Sequence, residues 1–170
     1  MEREEMEKQK TLLRKYLNQY YRKRKKKRDL TKRLDNFKEE MVGVKSIRYS
    51  KIPKSNTNTT VNEPLDFKIK CELIEQRIDS ERKKAASAML KVMDIIEYLD
   101  ESQEKEVLEY RFLDGEPWKA IEKKMSMSKS RCIDYYNMGL EKLLSYKKIR
   151  VILEEYEKDE KEREDKRCSS

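Results

Sequence analysis

Of the chain's 170 residues, 45% are charged and only 36% hydrophobic, so its core is modest for its length and a single globule using every residue is not expected. Three Gly and three Pro leave few obligatory turns, which excludes an all-β or doubly wound fold; zero His and three isolated Cys supply neither the commonest general base nor a metal-ligand set. The expectation is an all-α, non-enzymatic protein with no catalytic residue, metal or cofactor. A net charge of +8 and a pI near 9.2 favour a polyanionic partner, nucleic acid above all, although an anionic membrane or an acidic protein satisfies the same sign.

No apolar run approaches the roughly 18 residues of a membrane span, and the opening MEREEMEKQK is charged throughout. A soluble, unexported, cytoplasmic protein without membrane contact is therefore expected. Cys71 and Cys132 stand in apolar phases and Cys168 in a polar stretch, which reads as reduced thiols in a reducing compartment.

Residues 1–45 form an N-terminal basic helix, with Leu13, Leu17 and Tyr20, then Leu30, Leu34, Phe37 and Met41, recurring at steps of three and four. The phase is interrupted by Arg22, Lys23, Arg24, Lys25, Lys26, Lys27 and Arg28, and the helix is expected to fray or bend there. This run is open to three readings: a phosphate-tracking arm, a localisation-like tract or a charged helix surface. Tyr16, Tyr20 and Tyr21 interleave with cations as in a single-strand binder, but their spacing fits the apolar seam better.

Residues 46–64, with two Pro and a Ser/Asn/Thr cluster, read as a polar linker. Residues 65–99 form a long helix pairing with the first, its seam running Phe67, Cys71, Ile74, Ile78, Ala85, Met89, Val92, Ile96 and Leu99. Neither long helix can bury its stripe alone. An antiparallel hairpin or a coiled coil between subunits follows, with a dimer favoured.

Residues 100–145 read as a small compact domain. Val107, Leu108, Phe112 and Leu113 line a short helix stopped by Asp114-Gly115. Pro117 presets the first turn of a second helix, on which Trp118, Ile121 and Met125 share a face. Trp118 is read as packing and not as a base-stacking ring. Ser128 caps a third helix whose buried stripe is Cys132, Tyr135 or Tyr136, Leu140 and Leu143, and Cys132 is read as a small apolar residue. Lys129, Ser130, Arg131 and Asp134 then face outward on the first turns of that helix, where side chains reach base edges in a major groove. Lys119, with Lys123 or Lys124, is placed to neutralise phosphates. Residues 146–170, too polar to pack, read as a charged helical tail.

The run from Asp100 to Leu143, DESQEKEVLEYRFLDGEPWKAIEKKMSMSKSRCIDYYNMGLEKL, resembles the promoter-reading last domain of sigma-70-type factors over about a quarter of the chain. The RFLDGEPW turn, the S-x-S entry to the third helix, the GLEKL ending and the long helices before them look like phage late-gene transcriptional regulators of the ArpU, RinA and LmaC type. The resemblance implies a phage or prophage activator that binds double-stranded DNA and acts with host RNA polymerase, in the bacterial cytoplasm. Nothing upstream resembles the sigma segment that melts promoters. The chain also departs from the sigma pattern: Glu122 replaces a small Ala, Ser126 replaces the turn Gly, and Gly139 replaces an Ala where a small residue permits close packing. A small terminase subunit recognising packaging DNA is the alternative, and a coiled-coil scaffold without DNA affinity is a third.

Overall fold

The steps of three and four become seven α-helices in the computed structural model, which describes residues 2–47, 63–100 and 102–168 and contains no strand among them. The protein is all-α. Its elements are α1 (Glu2–Leu17), α2 (Gln19–Ile47), α3 (Glu63–Ile96), α4 (Gln103–Glu109), a π-helical turn (Tyr110–Asp114), α5 (Trp118–Met125), α6 (Lys129–Ser145) and α7 (Lys147–Cys168). No helix among the described residues is long and apolar enough to cross a membrane.

The chain divides into two units, Met1–Arg22 with Ala86–Ser170 and Lys23–Ala85. This replaces the expected order of N-terminal arm, pairing helix and C-terminal domain, because the first 22 residues pack with the last helices. In this first unit Leu13, Leu17, Val92, Ile95, Ile96, Leu108, Phe112, Leu140, Leu143, Ile149 and Leu153 share one core. Each fully buried aliphatic side chain there contributes about 1.5–3 kcal/mol of transfer free energy. A second, smaller cluster joins Val107, Ile121, Met125 and Cys132, and Tyr136 packs against both.

The helix break falls at Asn18 and not in the basic run, which stays helical. Seven exposed or half-exposed cations need no burial, so their backbone bonds continue without penalty. The 146–170 segment is also corrected: α7 buries Ile149 and Leu153 completely, and Tyr156 meets Tyr16 edge-on with ring centroids 5.1 Å apart. Spaced by four and three, those side chains supply one apolar edge on an otherwise polar helix.

The second unit is a hairpin. Lys26 reaches Glu81 at 3.1 Å, Lys38 reaches Glu75 at 2.9 Å, and the Phe37 and Phe67 rings lie 5.2 Å apart, pairs that run antiparallel along α2 and α3. The seam is largely as expected, but Met89 is exposed and Ala88 takes the buried position. The expected linker is shorter than 46–64: α2 continues to Ile47 and α3 begins at Glu63, while residues 48–62 lie outside the described residues.

Candidate nucleic-acid interface

The sequence from Tyr110 to Arg131 sets two helices at a fixed turn by closing each end with backbone bonds. The π-helical turn ends at Gly115, whose φ of 73° is left-handed, and the Glu116 amide donates to the Tyr110 carbonyl at 2.9 Å. Arg111 braces this corner: its guanidinium donates to the Glu116 carbonyl at 3.0 Å and lies 5.2 Å from the Trp118 ring centroid. Pro117, at ψ 154°, precedes the first turn of α5, where its missing N–H leaves no donor unpaired.

The turn between α5 and α6 is a Schellman motif. The Met127 amide donates to the Glu122 carbonyl at 3.1 Å and the Ser126 amide to the Lys123 carbonyl at 3.4 Å. Ser126 adopts φ 53°, ψ 39°, the only positive φ among the described non-glycine residues. That conformation costs an L-residue about 1–2 kcal/mol, and a serine bears the cost here. Ser128 then caps α6, its hydroxyl accepting from the Arg131 amide at 3.4 Å.

α6 buries Cys132, Gly139, Leu140, Leu143 and Leu144. Burial and the nearby Glu122 carboxylate push the Cys132 thiol up from its ordinary value, so it behaves as an apolar side chain. Gly139 admits close approach of α4: a Cβ there would stand 3.0 Å from Leu108 Cδ1 and 3.3 Å from Glu104 Cβ. Beside it Lys142 donates to Glu104 at 2.6 Å, and that hydrogen bond, outweighing the opposing effect of burial, holds the Glu104 carboxyl below its ordinary value. Trp118 meets Tyr136 edge-on at 5.4 Å, and Tyr136 stacks on Phe112 at 5.8 Å, so both aromatics belong to packing. Tyr16 is buried and Tyr20 half-buried in the same unit, whereas Tyr21 stays exposed beside Gly115.

Lys129, Ser130, Arg131 and Asp134 are all exposed at the start of α6. Arg131 lies along Tyr135, donating to its hydroxyl at 3.5 Å. Further along, α1 occupies one flank: Lys10 donates to Glu141 at 2.7 Å and Arg14 to Asn137 at 3.4 Å, with the Arg14 guanidinium 5.9 Å from the Tyr136 ring centroid. The open surface of α6 is thereby concentrated in its N-terminal half. On α5, Lys119 and Lys123 are exposed. Lys124 is committed elsewhere: it bonds Glu116 at 2.6 Å, which raises its pKa, and lies 4.7 Å from the Tyr110 ring centroid. Still exposed, it also braces the α4–α5 corner.

The basic run belongs to α2. Arg22 closes the first unit, and Lys23 to Arg28 lie in the second. Lys26 bonds buried Glu81, which Lys84 also reaches at 3.0 Å. Burial alone would raise the Glu81 pKa, but these bonds outweigh it and hold the carboxyl low. Lys26 therefore has a structural task that the sequence reading did not assign. Arg14 and Arg111 were likewise missed; their partners Tyr136 and Trp118 are brought to them only by the fold, and the sequence carries no signal for either contact.

No family model matches this sequence, and neither a curated protein nor a solved structure matches it.

Proposed function

We propose that the chain is a sequence-specific, double-stranded-DNA-binding regulator of transcription, with α6 entering the major groove. The observation that carries this reading is the disposition of α6: Cys132, Leu140 and Leu143 turn into the core while Lys129, Ser130, Arg131 and Asp134 stand together outside on its first turns. Lys and Arg donate to guanine O6 and N7, Asp accepts from cytosine N4, and Ser serves either role. Lys119 and Lys123 supply phosphate contacts from α5. The resemblance of residues 100–143 to sigma-type promoter readers and to phage late-gene regulators extends the proposal to an activator acting with host RNA polymerase.

The test begins with selecting bound duplexes from a randomised pool and measuring affinity for the selected sequence at fixed salt. Lys129→Ala and Arg131→Ala should each reduce affinity for that sequence about 5- to 100-fold while leaving affinity for unrelated duplexes nearly unchanged. Lys119→Ala and Lys123→Ala should weaken all duplexes alike and lower the salt slope by about one each. A pool that yields no preferred sequence, or a preference indifferent to Lys129 and Arg131, overturns the reading.

A further inference from the structure

Charge is divided unevenly along the second unit. Where α2 and α3 pair through Lys26 and Glu81, residues 23–33 and 77–84 carry twelve Lys and Arg against three carboxylates, a net charge of +9. The described residues at the hairpin's other end, 34–47 and 63–76, carry four cations against seven carboxylates, a net −3. The two carboxylates of α3 at the cationic end are each already shared by two cations. Asp79 takes Arg82 at 2.7 Å and Lys83 at 3.0 Å, and Glu81 takes Lys84 at 3.0 Å and Lys26 at 3.1 Å. Arg24, Lys25, Arg28 and Lys32 have no ion pair among the described residues, and all four are exposed. At 3.6 residues per turn they fall within about 100° of one another, on the side of α2 turned away from Leu30, Leu34 and Phe37, in a ridge about 12 Å long. Such a concentration of like charge opposes the compact hairpin, so an anion that neutralises it is favoured.

The residues around the ridge indicate which anion. Residues 23–33 and 77–84 contain no aromatic residue, so there is no ring on which the bases of a single strand would stack. Their only large aliphatics, Leu30 and Ile78, are half-buried along the seam. The ridge therefore has no apolar edge to enter a lipid headgroup layer, and none to form the dry centre of a protein interface. What it offers is charge at high density. Duplex nucleic acid matches that, with one phosphate per about 1.7 Å of axis, or about seven along 12 Å. We infer that Arg24, Lys25, Arg28 and Lys32 bind the phosphate backbone of duplex DNA without regard to sequence, as a second contact surface besides α6. That the duplex is DNA rests on the reading of α6 above; the phosphate contact itself rests on the second unit alone.

Fluorescence anisotropy of the full chain with an unrelated duplex of about 30 base pairs, between about 50 and 200 mM salt, reads the number of phosphate contacts as a slope. Arg24→Gln, Lys25→Gln, Arg28→Gln and Lys32→Gln together should lower that slope by about three to four. The unrelated and the selected duplex should weaken by the same factor, at least about 10-fold at about 100 mM salt. Gln has the helix propensity of the residues it replaces, so helicity by circular dichroism should not change. Arg24→Gln with Arg28→Gln should lower the slope by about two, and Arg24→Lys with Arg28→Lys, which keeps the charge, should preserve it. Lys68→Gln with Lys70→Gln removes the same net charge from the other end of the hairpin and should leave the slope unchanged. A slope indifferent to the four-residue variant overturns the inference, as does an equal drop in the Lys68 and Lys70 variant. Tighter binding to a single strand of the same length, or to phosphatidylserine vesicles, than to the duplex overturns it too. If selection yields no preferred sequence while the slope difference persists, the reading of α6 fails and the backbone contact stands; a preferred sequence with no slope difference does the reverse.

Discussion

The two units solve the same problem, covering an apolar helix face, with different resources. In the first, Leu13, Leu108, Leu140 and Leu153 come from four helices and are all fully buried, so each face is covered by several neighbours. In the second, among the described residues, α2 faces the Glu63–Ala85 part of α3, and Phe37, Phe67, Ile74 and Ile78 remain half-exposed. Salt bridges such as Lys38–Glu75, with both side chains about half exposed, do not compensate, because exposed pairs contribute at most about 1 kcal/mol. Helical periodicity is equally clear in both regions. What differs is how many helices meet at each seam, and therefore how completely each apolar face is covered.

The sharpest way to break this comparison is to cut each core. Leu140→Ala should cost about 3–4 kcal/mol, as expected for a fully buried leucine, and Leu34→Ala in the hairpin about 2 kcal/mol, the low end for a buried leucine. Urea titration followed by hydrogen exchange should place the first loss in α4–α7 and the second in α2–α3. Next in size is Gly139→Val. The added methyls meet Leu108 and Glu104 at the α4 contact, and a loss of about 2 kcal/mol in thermal unfolding is expected. Ser126→Gly works in the opposite direction: relief of the left-handed serine should stabilise the first unit by about 1 kcal/mol and raise Tm by a few degrees.

The smallest effect concerns acid. Glu104 and Glu81 are held below the ordinary glutamate value of 4.5, so each contributes stability that is fully present above that value and is lost as pH falls through its lower folded value. Glu104→Gln should flatten the acid limb of the first unit's stability curve, and Glu81→Gln that of the second. With Lys142, Lys26 and Lys84 all more than half exposed, each change is expected to be under about 1 kcal/mol.

Much of the region from α4 to α6 was legible from local chemistry. Ser128 before KSR announces a helix cap, Gly115 after Asp114 announces a stop, and the phase of Cys132, Leu140 and Leu143 determines which side of α6 turns in. What stayed hidden was the identity of the covering elements. Periodicity shows that Leu13 and Leu17 belong to a stripe, but not that α6 and α7 receive them. Ile149, Leu153 and Tyr156 form a true helical edge that the surrounding charges obscure when composition is averaged over residues 146–170. The break at Asn18 was missed because a charge run looks like an interruption, although a helix can carry cations on every side when all of them reach water.

Contacts from α1 to α6, Lys10 to Glu141 and Arg14 to Asn137, bridge more than 120 positions of sequence. A growing polypeptide therefore makes its first helix long before the helix that will receive it exists, and loop closure of that length slows folding. Excising residues 100–145 alone would leave Leu140, Leu143 and Leu144 without the α1 and α7 side chains they share a core with. The practical unit for biochemistry therefore includes α1 and α7 as well as α4 to α6.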